Sequence, residues 1–153
     1  MMGIEVMEMN DNKKMTALVS LFALAYHRER YGVTVYDDPL SKRLLSEETY
    51  SAIAEEMTKG APFFDSRLKD DPEPLRRVVD GFLSPAPLAR AAFCAQSLET
   101  ASRLGTTQYV LLGSGFDTFP YRQPDWAKRM TIFEVDRPEV IEEKQKRLSQ
   151  SGI

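Results

Sequence analysis

The chain has 153 residues, a formal net charge of −3 and 42% hydrophobic residues, a composition typical of globular proteins rather than disordered or fibrous ones. The acidic balance argues against a nucleic-acid-binding surface. No apolar run approaches the roughly 20 residues that a membrane-spanning helix needs, and the acidic N-terminus does not resemble a secretory signal. Cys94 is the only cysteine, which excludes an internal disulfide and favours a cytoplasmic location. No spacing of His, Cys and Asp predicts a metal site.

The first two thirds of the chain are predicted to be helical. Apolar side chains recur at helical spacing, Ser46 is a suitable N-cap before one such run, and Gly32, Gly60 and Gly105 are suitable ends. We therefore expect a loose segment over residues 1–12, a loop over 61–74, and helices over 15–31, 47–59, 73–83 and 86–104.

The pattern changes after residue 104. Two short apolar runs, residues 109–112 and 130–133, are separated by a connection long enough for a parallel crossover. Such runs are typical of strands that are buried on both faces of a parallel sheet. A helix over residues 139–148 is predicted to follow, beginning near Pro138.

The segment YVLLGSGFDTFPYR, residues 109–122, is the most informative part of the sequence. A buried strand that ends in a glycine-rich turn commonly holds a nucleotide-like ligand. Gly113 and Gly115 allow a tight turn and a close approach of the backbone to that ligand. Asp117 lies just beyond the turn, where its carboxylate can meet an amino or hydroxyl group.

An acidic pair, Glu134 and Asp136, ends the second predicted strand. Asp136 lies 23 residues after Gly113, close to the spacing at which an acid binds ribose hydroxyls in doubly wound folds. The third position of a dinucleotide motif is Thr118 instead of a small residue, which disfavours NAD or FAD and favours S-adenosylmethionine. From these residues alone, a tight turn beside a solvated strand end remains the alternative.

The sequence GSGFDTFPYR followed by FEVDRPEVIEEKQKRL resembles the leucine carboxyl methyltransferase family. The resemblance rests on a set of motif residues: Gly113, Gly115, Asp117, Thr118, Tyr121, Arg122, Phe133, Glu134, Val135, Asp136, Pro138, Lys144 and Leu148. Asp38-Pro39 and Arg90 extend it, more weakly, toward the N-terminus. It covers residues 16–148.

The resemblance implies an α/β fold in which an N-terminal helical cap, residues 1–104, precedes a Rossmann-like sheet. Residues 105–153 would supply two parallel strands of a class I methyltransferase domain, truncated relative to longer family members. It implies S-adenosyl-L-methionine as the cofactor. Arg90 would hold the methionine carboxylate and Asp136 the ribose. Gly113 and Gly115 would approach the cofactor, while Asp117 and Glu134 would either contact it or support the loops.

The implied activity is transfer of a methyl group to a carboxylate or hydroxyl oxygen of a small molecule or a protein. No catalytic residue is predicted, and neither nucleic acid nor membrane is expected as a partner. The alternatives are a non-enzymatic remnant or partner-binding helical module and, less favoured, a nicotinamide-dependent oxidoreductase. Because two strands cannot form a fully covered sheet, we expect marginal stability, weak activity, and self-association or a missing C-terminal half.

Overall fold

A computed structural model describes the backbone of residues 2–153 and the side chains of residues 15–153. Its helices are α1 (Met2–Tyr31), α2 (Ser41–Leu44), α3 (Glu47–Lys59), α4 (Ala61–Phe64), α5 (Pro74–Val78), α6 (Pro85–Arg103) and α7 (Pro138–Gln150). Its strands are β1 (Gln108–Leu112) and β2 (Thr131–Val135). Short 3-10 segments occur at Ser66–Asp70, Phe119–Tyr121 and Asp125–Ala127, and a π-helical turn at Val79–Leu83. The helices followed by parallel strands confirm the predicted α/β class.

The chain forms two compact units. One unit comprises residues Val19–Ala91, and the other combines the chain up to Leu18 with residues Ala92–Ile153. Both boundaries fall inside long helices, α1 and α6. The assignment of residues 1–104 to a cap and of 105–153 to a cofactor-binding domain stays a prediction. Within the described residues, no helix is both long and apolar enough to cross a membrane.

The unit Val19–Ala91 is helical, and its best-predicted element is α3. Ser46 caps this helix by accepting a hydrogen bond of 3.1 Å from the backbone nitrogen of Thr49, and Gly60 ends it, as the sequence indicated. A small apolar core lies beyond it, made of Ala61, Leu68 and Val78 with Met57, Phe64 and Leu83 packed around them.

Three predictions for the helical part were wrong in detail. Helix α1 begins at Met2 rather than near residue 15, because residues 2–14 are mostly good helix formers without proline. The predicted loop over 61–74 contains α4 and a 3-10 segment, which Asp65 starts by accepting a hydrogen bond from the backbone nitrogen of Arg67. The helix predicted over 73–83 changes to π-helical geometry in its second half.

The two strands pair in parallel, with Gln108 opposite Thr131 and Leu112 opposite Val135. One face of this sheet is packed. Its core consists of Phe119, Ala127 and Met130, with Leu98, Tyr109, Trp126 and Ile132 packed against them. The connection between the strands therefore covers the face that Tyr109 and Ile132 present.

The opposite face of the sheet is exposed, which goes against the burial on both faces that the apolar runs indicated but agrees with the expectation that two strands do not form a fully covered sheet. Val110, Leu112, Phe133 and Val135 are 50%, 80%, 45% and 50% exposed. A continuous apolar run predicts that both faces are suited to burial, but it does not supply the elements that bury them. In this unit the described elements cover one face only.

Candidate cofactor-binding site

The glycine turn after β1 has backbone geometry that depends on glycine. Gly113 has φ +70° and Gly115 has φ +50°, in the left-handed region that side chains disfavour. The Gly113 amide donates a hydrogen bond of 2.8 Å to the carbonyl of Val135, which ties the turn to the end of β2. A Cβ atom added at Gly113 would meet no atom within 4 Å. The turn therefore leaves open space beside its first glycine.

Asp136 joins the end of β2 to this turn. Its Oδ2 accepts a hydrogen bond of 2.7 Å from the backbone nitrogen of Gly115, across 21 residues of sequence. Its Oδ1 accepts one of 2.8 Å from the backbone nitrogen of Arg137. A carboxylate has about four lone-pair sites, so Asp136 can accept further hydrogen bonds from a ligand while it holds the turn.

The residue between the two glycines, Ser114, has a buried hydroxyl group. Its side chain is buried, at 4% exposure, and among the described residues its hydroxyl has no hydrogen-bond partner. An unsatisfied buried hydroxyl costs free energy, and native proteins commonly keep such a group where a ligand or water satisfies it. Ser114 was not predicted as a site residue, because a serine between two glycines is typical of an ordinary turn.

The segment after the turn is shaped by side-chain hydrogen bonds to its own backbone and neighbours. Asp117 Oδ1 accepts a hydrogen bond of 2.8 Å from the backbone nitrogen of Phe119. Thr118 is fully buried, and its hydroxyl accepts a hydrogen bond of 2.7 Å from Nε of Arg122. Asp117 is exposed and beside the turn, so it supports the loop and remains accessible to a ligand.

Glu134 uses both carboxylate oxygens in contacts within the protein. Oε2 accepts a hydrogen bond of 2.7 Å from the hydroxyl of Tyr121, and Oε1 pairs with Nζ of Lys144. Lys144 is only 1% exposed, and its Nζ lies 5.2 Å from the centroid of the Tyr121 ring. Partial burial, together with the neighbouring Glu134 carboxylate, raises the pKa of the Tyr121 phenol.

Lys144 and Tyr121 are motif residues of the sequence for which no role was predicted. A signal for Lys144 was present in the sequence. It is spaced four residues from Val140 and from Leu148, and all three side chains are buried on one face of α7. A lysine at an apolar position of an amphipathic helix indicates a buried partner of opposite charge.

Two other residues, Arg90 and His27, belong to the helical unit Val19–Ala91, whereas the glycine turn belongs to the other unit. Arg90 is exposed on α6 and belongs to the unit Val19–Ala91. His27, in the same unit, lies on α1 and shares a hydrogen bond of 2.6 Å with the Thr34 hydroxyl. Among the residues that the structure describes, no group of His, Cys, Asp and Glu is arranged to hold a metal ion. No general base can be assigned from these contacts.

Parallel strands, a glycine turn and an acid at the end of the second strand form the arrangement at which many α/β proteins bind nucleotide-type ligands. The sequence model of the family described as "Leucine carboxyl methyltransferase" matches residues 17–153. The chain belongs to this family, as the motif residues indicated.

Curated relatives agree with this assignment. The chain is 37% identical over 148 residues to a Bacillus subtilis (strain 168) protein named "Putative S-adenosyl-L-methionine-dependent methyltransferase YktD", covering 94% of this chain and 49% of the relative. A Mycobacterium avium (strain 104) protein with the same kind of description is 30% identical over 142 residues, covering 93% of this chain and 44% of the relative. The chain thus spans about half the length of these relatives.

Proposed function

We propose that this chain binds S-adenosylmethionine and forms part of an S-adenosylmethionine-dependent O-methyltransferase. The observation that carries the proposal is the contact between Asp136 and Gly115, which joins a left-handed glycine turn to an acid at the neighbouring strand end. Family membership and the descriptions of the relatives support the same cofactor.

The ribose of the cofactor would bind at Asp136. This carboxylate already accepts two backbone hydrogen bonds and keeps lone pairs for the two ribose hydroxyls. Because it is fixed by those backbone contacts, little conformational entropy is lost when it binds a ligand. Gly113 lies beside open space, so the adenosyl group would approach the backbone there without meeting a side chain.

The other predicted contacts concern the methionine part of the cofactor. We propose that the guanidinium of Arg90 pairs with its carboxylate in two places, since the planar fork of arginine matches a carboxylate. We propose that Asp117, exposed beside the turn, accepts a hydrogen bond from its amino group. Glu134 has both oxygens engaged by Tyr121 and Lys144, which favours its supporting role over direct contact with the cofactor.

The methyl acceptor would be a carboxylate or hydroxyl of a small molecule or a protein. When bound, S-adenosylmethionine supplies a methyl group that is attached to a positively charged sulfonium. After the methyl group is transferred, the sulfur remains as a neutral thioether. The residues of the protein then mainly align donor and acceptor and exclude water. A carboxylate acceptor needs no general base, whereas a hydroxyl acceptor does.

Titration calorimetry with S-adenosylmethionine tests the proposal. We expect saturable binding by the chain and at least a tenfold weaker affinity for Asp136→Ala. The substitution removes two hydrogen bonds to a charged group, and each such bond is worth about 1.5–3 kcal/mol. Asp125→Ala is the matched control, since Asp125 is 94% exposed and pairs with the surface residue Lys128. Thermal unfolding of each variant checks that it is folded.

The same calorimetry separates the alternatives. Binding of NADH in place of S-adenosylmethionine would support a nicotinamide-dependent oxidoreductase, and binding of neither would support a non-enzymatic remnant or helical binding module. A cytoplasmic location stays our proposal from the single cysteine, Cys94, which is exposed and free. Cell fractionation with an antibody against the chain tests it.

A further inference from the structure

We propose that Glu134, Lys144 and Tyr121 form a positioning cluster that fixes the end of β2 so that Asp136 engages the glycine turn. In this proposal the cluster positions Asp136 and has no assigned contact with the cofactor. Its consequence for cofactor affinity rests on the function proposed above, whereas its effect on the ligand-free protein does not.

The cluster joins three separate elements. Glu134 lies on β2, Lys144 on α7, and Tyr121 at the end of the 3-10 segment after the turn. The Glu134 carboxylate is at the centre of the cluster. One of its oxygens accepts a hydrogen bond of 2.7 Å from the Tyr121 hydroxyl, and the other pairs with the Lys144 ammonium. Removal of Glu134 would therefore release both neighbours at once.

The end of β2 therefore contacts the turn segment near its beginning, where the Val135 carbonyl also accepts a hydrogen bond from Gly113, and again at its end. Asp136 holds its beginning, through the backbone nitrogen of Gly115. Glu134, two residues earlier, holds its end through the side chain of Tyr121. A loop that is fixed at both ends samples fewer conformations than one fixed at a single end, so the second contact restricts the geometry of the first.

The burial of Lys144 favours positioning over simple stabilisation. At 1% exposure its ammonium loses nearly all hydration, and a buried ion pair often contributes no more stability than apolar side chains of similar volume. The neighbouring positions on the same face of α7 are filled by Val140 and Leu148, which shows that this face accepts apolar side chains. The ion pair adds what an apolar residue lacks, which is a defined direction and distance.

Hydrogen exchange at the Gly115 amide, measured by NMR without ligand, tests the inference directly. The variants are Tyr121→Phe, which removes one hydroxyl, and the double variant Glu134→Gln with Lys144→Met, which removes both charges together. We expect exchange of the Gly115 amide to accelerate about tenfold relative to the amides of β1 and β2. An effect of this size is typical of the energetic coupling between residues of one hydrogen-bond network. Lys128→Met, which breaks an exposed pair with Asp125, should leave it unchanged.

Two results of the exchange measurement would contradict the positioning role of the cluster. Unchanged Gly115 exchange in folded variants would overturn the inference, as would acceleration that the strand amides share equally, because that pattern reports general destabilisation. If the double variant does not fold, Tyr121→Phe still carries the test, since it retains the ring and the ion pair.

Cofactor affinity provides a second readout through a double-mutant cycle with Asp136→Asn. We expect Tyr121→Phe to weaken S-adenosylmethionine binding about three- to tenfold in the wild-type background and much less beside Asp136→Asn, because the cluster acts through Asp136. Equal losses in both backgrounds would contradict the positioning role. Absence of binding by the wild-type chain would refute the proposed function, and the exchange measurement would then decide the inference alone.

Discussion

The Asp136 Oδ2 atom lies 2.7 Å from the backbone nitrogen of Gly115, so the end of the second strand directly holds the turn that follows the first. The same carboxylate accepts a hydrogen bond from the backbone nitrogen of Arg137, at the start of α7. One side chain thus links a strand end, a glycine turn and a helix start. A ligand that binds here meets an acid whose orientation is already fixed by the backbone.

Asp136 should make binding selective for the ribose hydroxyls. We expect S-adenosylhomocysteine to bind about tenfold more tightly than its 2′,3′-dideoxy analogue, since a lost hydrogen bond to a charged group costs about 1.5–3 kcal/mol. Asp136→Asn should reduce that preference because the amide accepts weaker hydrogen bonds. Competition calorimetry with the two ligands measures it. Equal affinity of the wild-type chain for both ligands would argue against ribose recognition by Asp136.

Gly113→Ala should weaken ligand binding beyond the loss of folding stability that it shares with an alanine substitution at a comparable glycine. The left-handed backbone, φ +70°, costs an alanine roughly 1–2 kcal/mol, and the new methyl group would enter the open space beside the turn. Gly152→Ala is the matched control, because Gly152 has φ +66° and also meets no atom within 4 Å. Chemical denaturation should give similar losses for both variants, whereas calorimetry should give an affinity loss for Gly113→Ala alone. Matching affinities for the two variants would remove Gly113 from the proposed site.

The exposed sheet face should mediate association between copies of the chain. Val110, Leu112, Phe133 and Val135 form one apolar face, and parallel sheets are normally covered on both sides. A second copy offers the same apolar face, and a two-fold arrangement pairs the two. We expect sedimentation velocity to show concentration-dependent dimers.

Leu112→Lys should shift this equilibrium to the monomer, because it places a charge on an 80% exposed position of the apolar face. Leu104→Lys is the control, since Leu104 is 83% exposed and lies outside the strands. A wild-type chain that stays monomeric at all concentrations would contradict self-association through this face.

Asp65 should titrate at unusually low pH. Its hydrogen bonds from the side chain and backbone nitrogen of Arg67 lower its pKa from the ordinary 3.8 to about 2. Because the folded pKa lies below the unfolded one, the contribution to stability is complete above the unfolded value and is lost as the pH falls toward 2. The contribution is small, since Arg67 is 87% exposed and solvent screens the pair.

Carbon-detected NMR titration of the Asp65 carboxyl group checks this value. Arg67→Ala should return the pKa toward 3.8. Arg77→Ala, which removes a different surface pair with Asp71 at 3.4 Å, should leave it unchanged. An Asp65 carboxyl that titrates near 3.8 in the wild-type chain would show that the pair does not persist in solution.

The fold was predicted well where local chemistry controls it. Ser46 and Gly60 mark the ends of α3 in the sequence and in the structure, because capping involves residues within one helical turn. The parallel strands also followed from the sequence, since short apolar runs separated by a long connection have few other solutions. The start of α1 and the short helices over 61–74 were missed, because weak helical propensity is decided by context.

The candidate site divides in the same way. The sequence alone identified the family and singled out Gly113, Gly115 and Asp136 as a ligand-binding turn and strand end, whose role stays a prediction. Only the tertiary structure brought Glu134 to Tyr121 and Lys144, buried the Ser114 hydroxyl without a partner among the side chains that the structure describes, and exposed one sheet face. Those features depend on contacts between residues far apart in the chain, and local spacing does not specify which distant side chains meet.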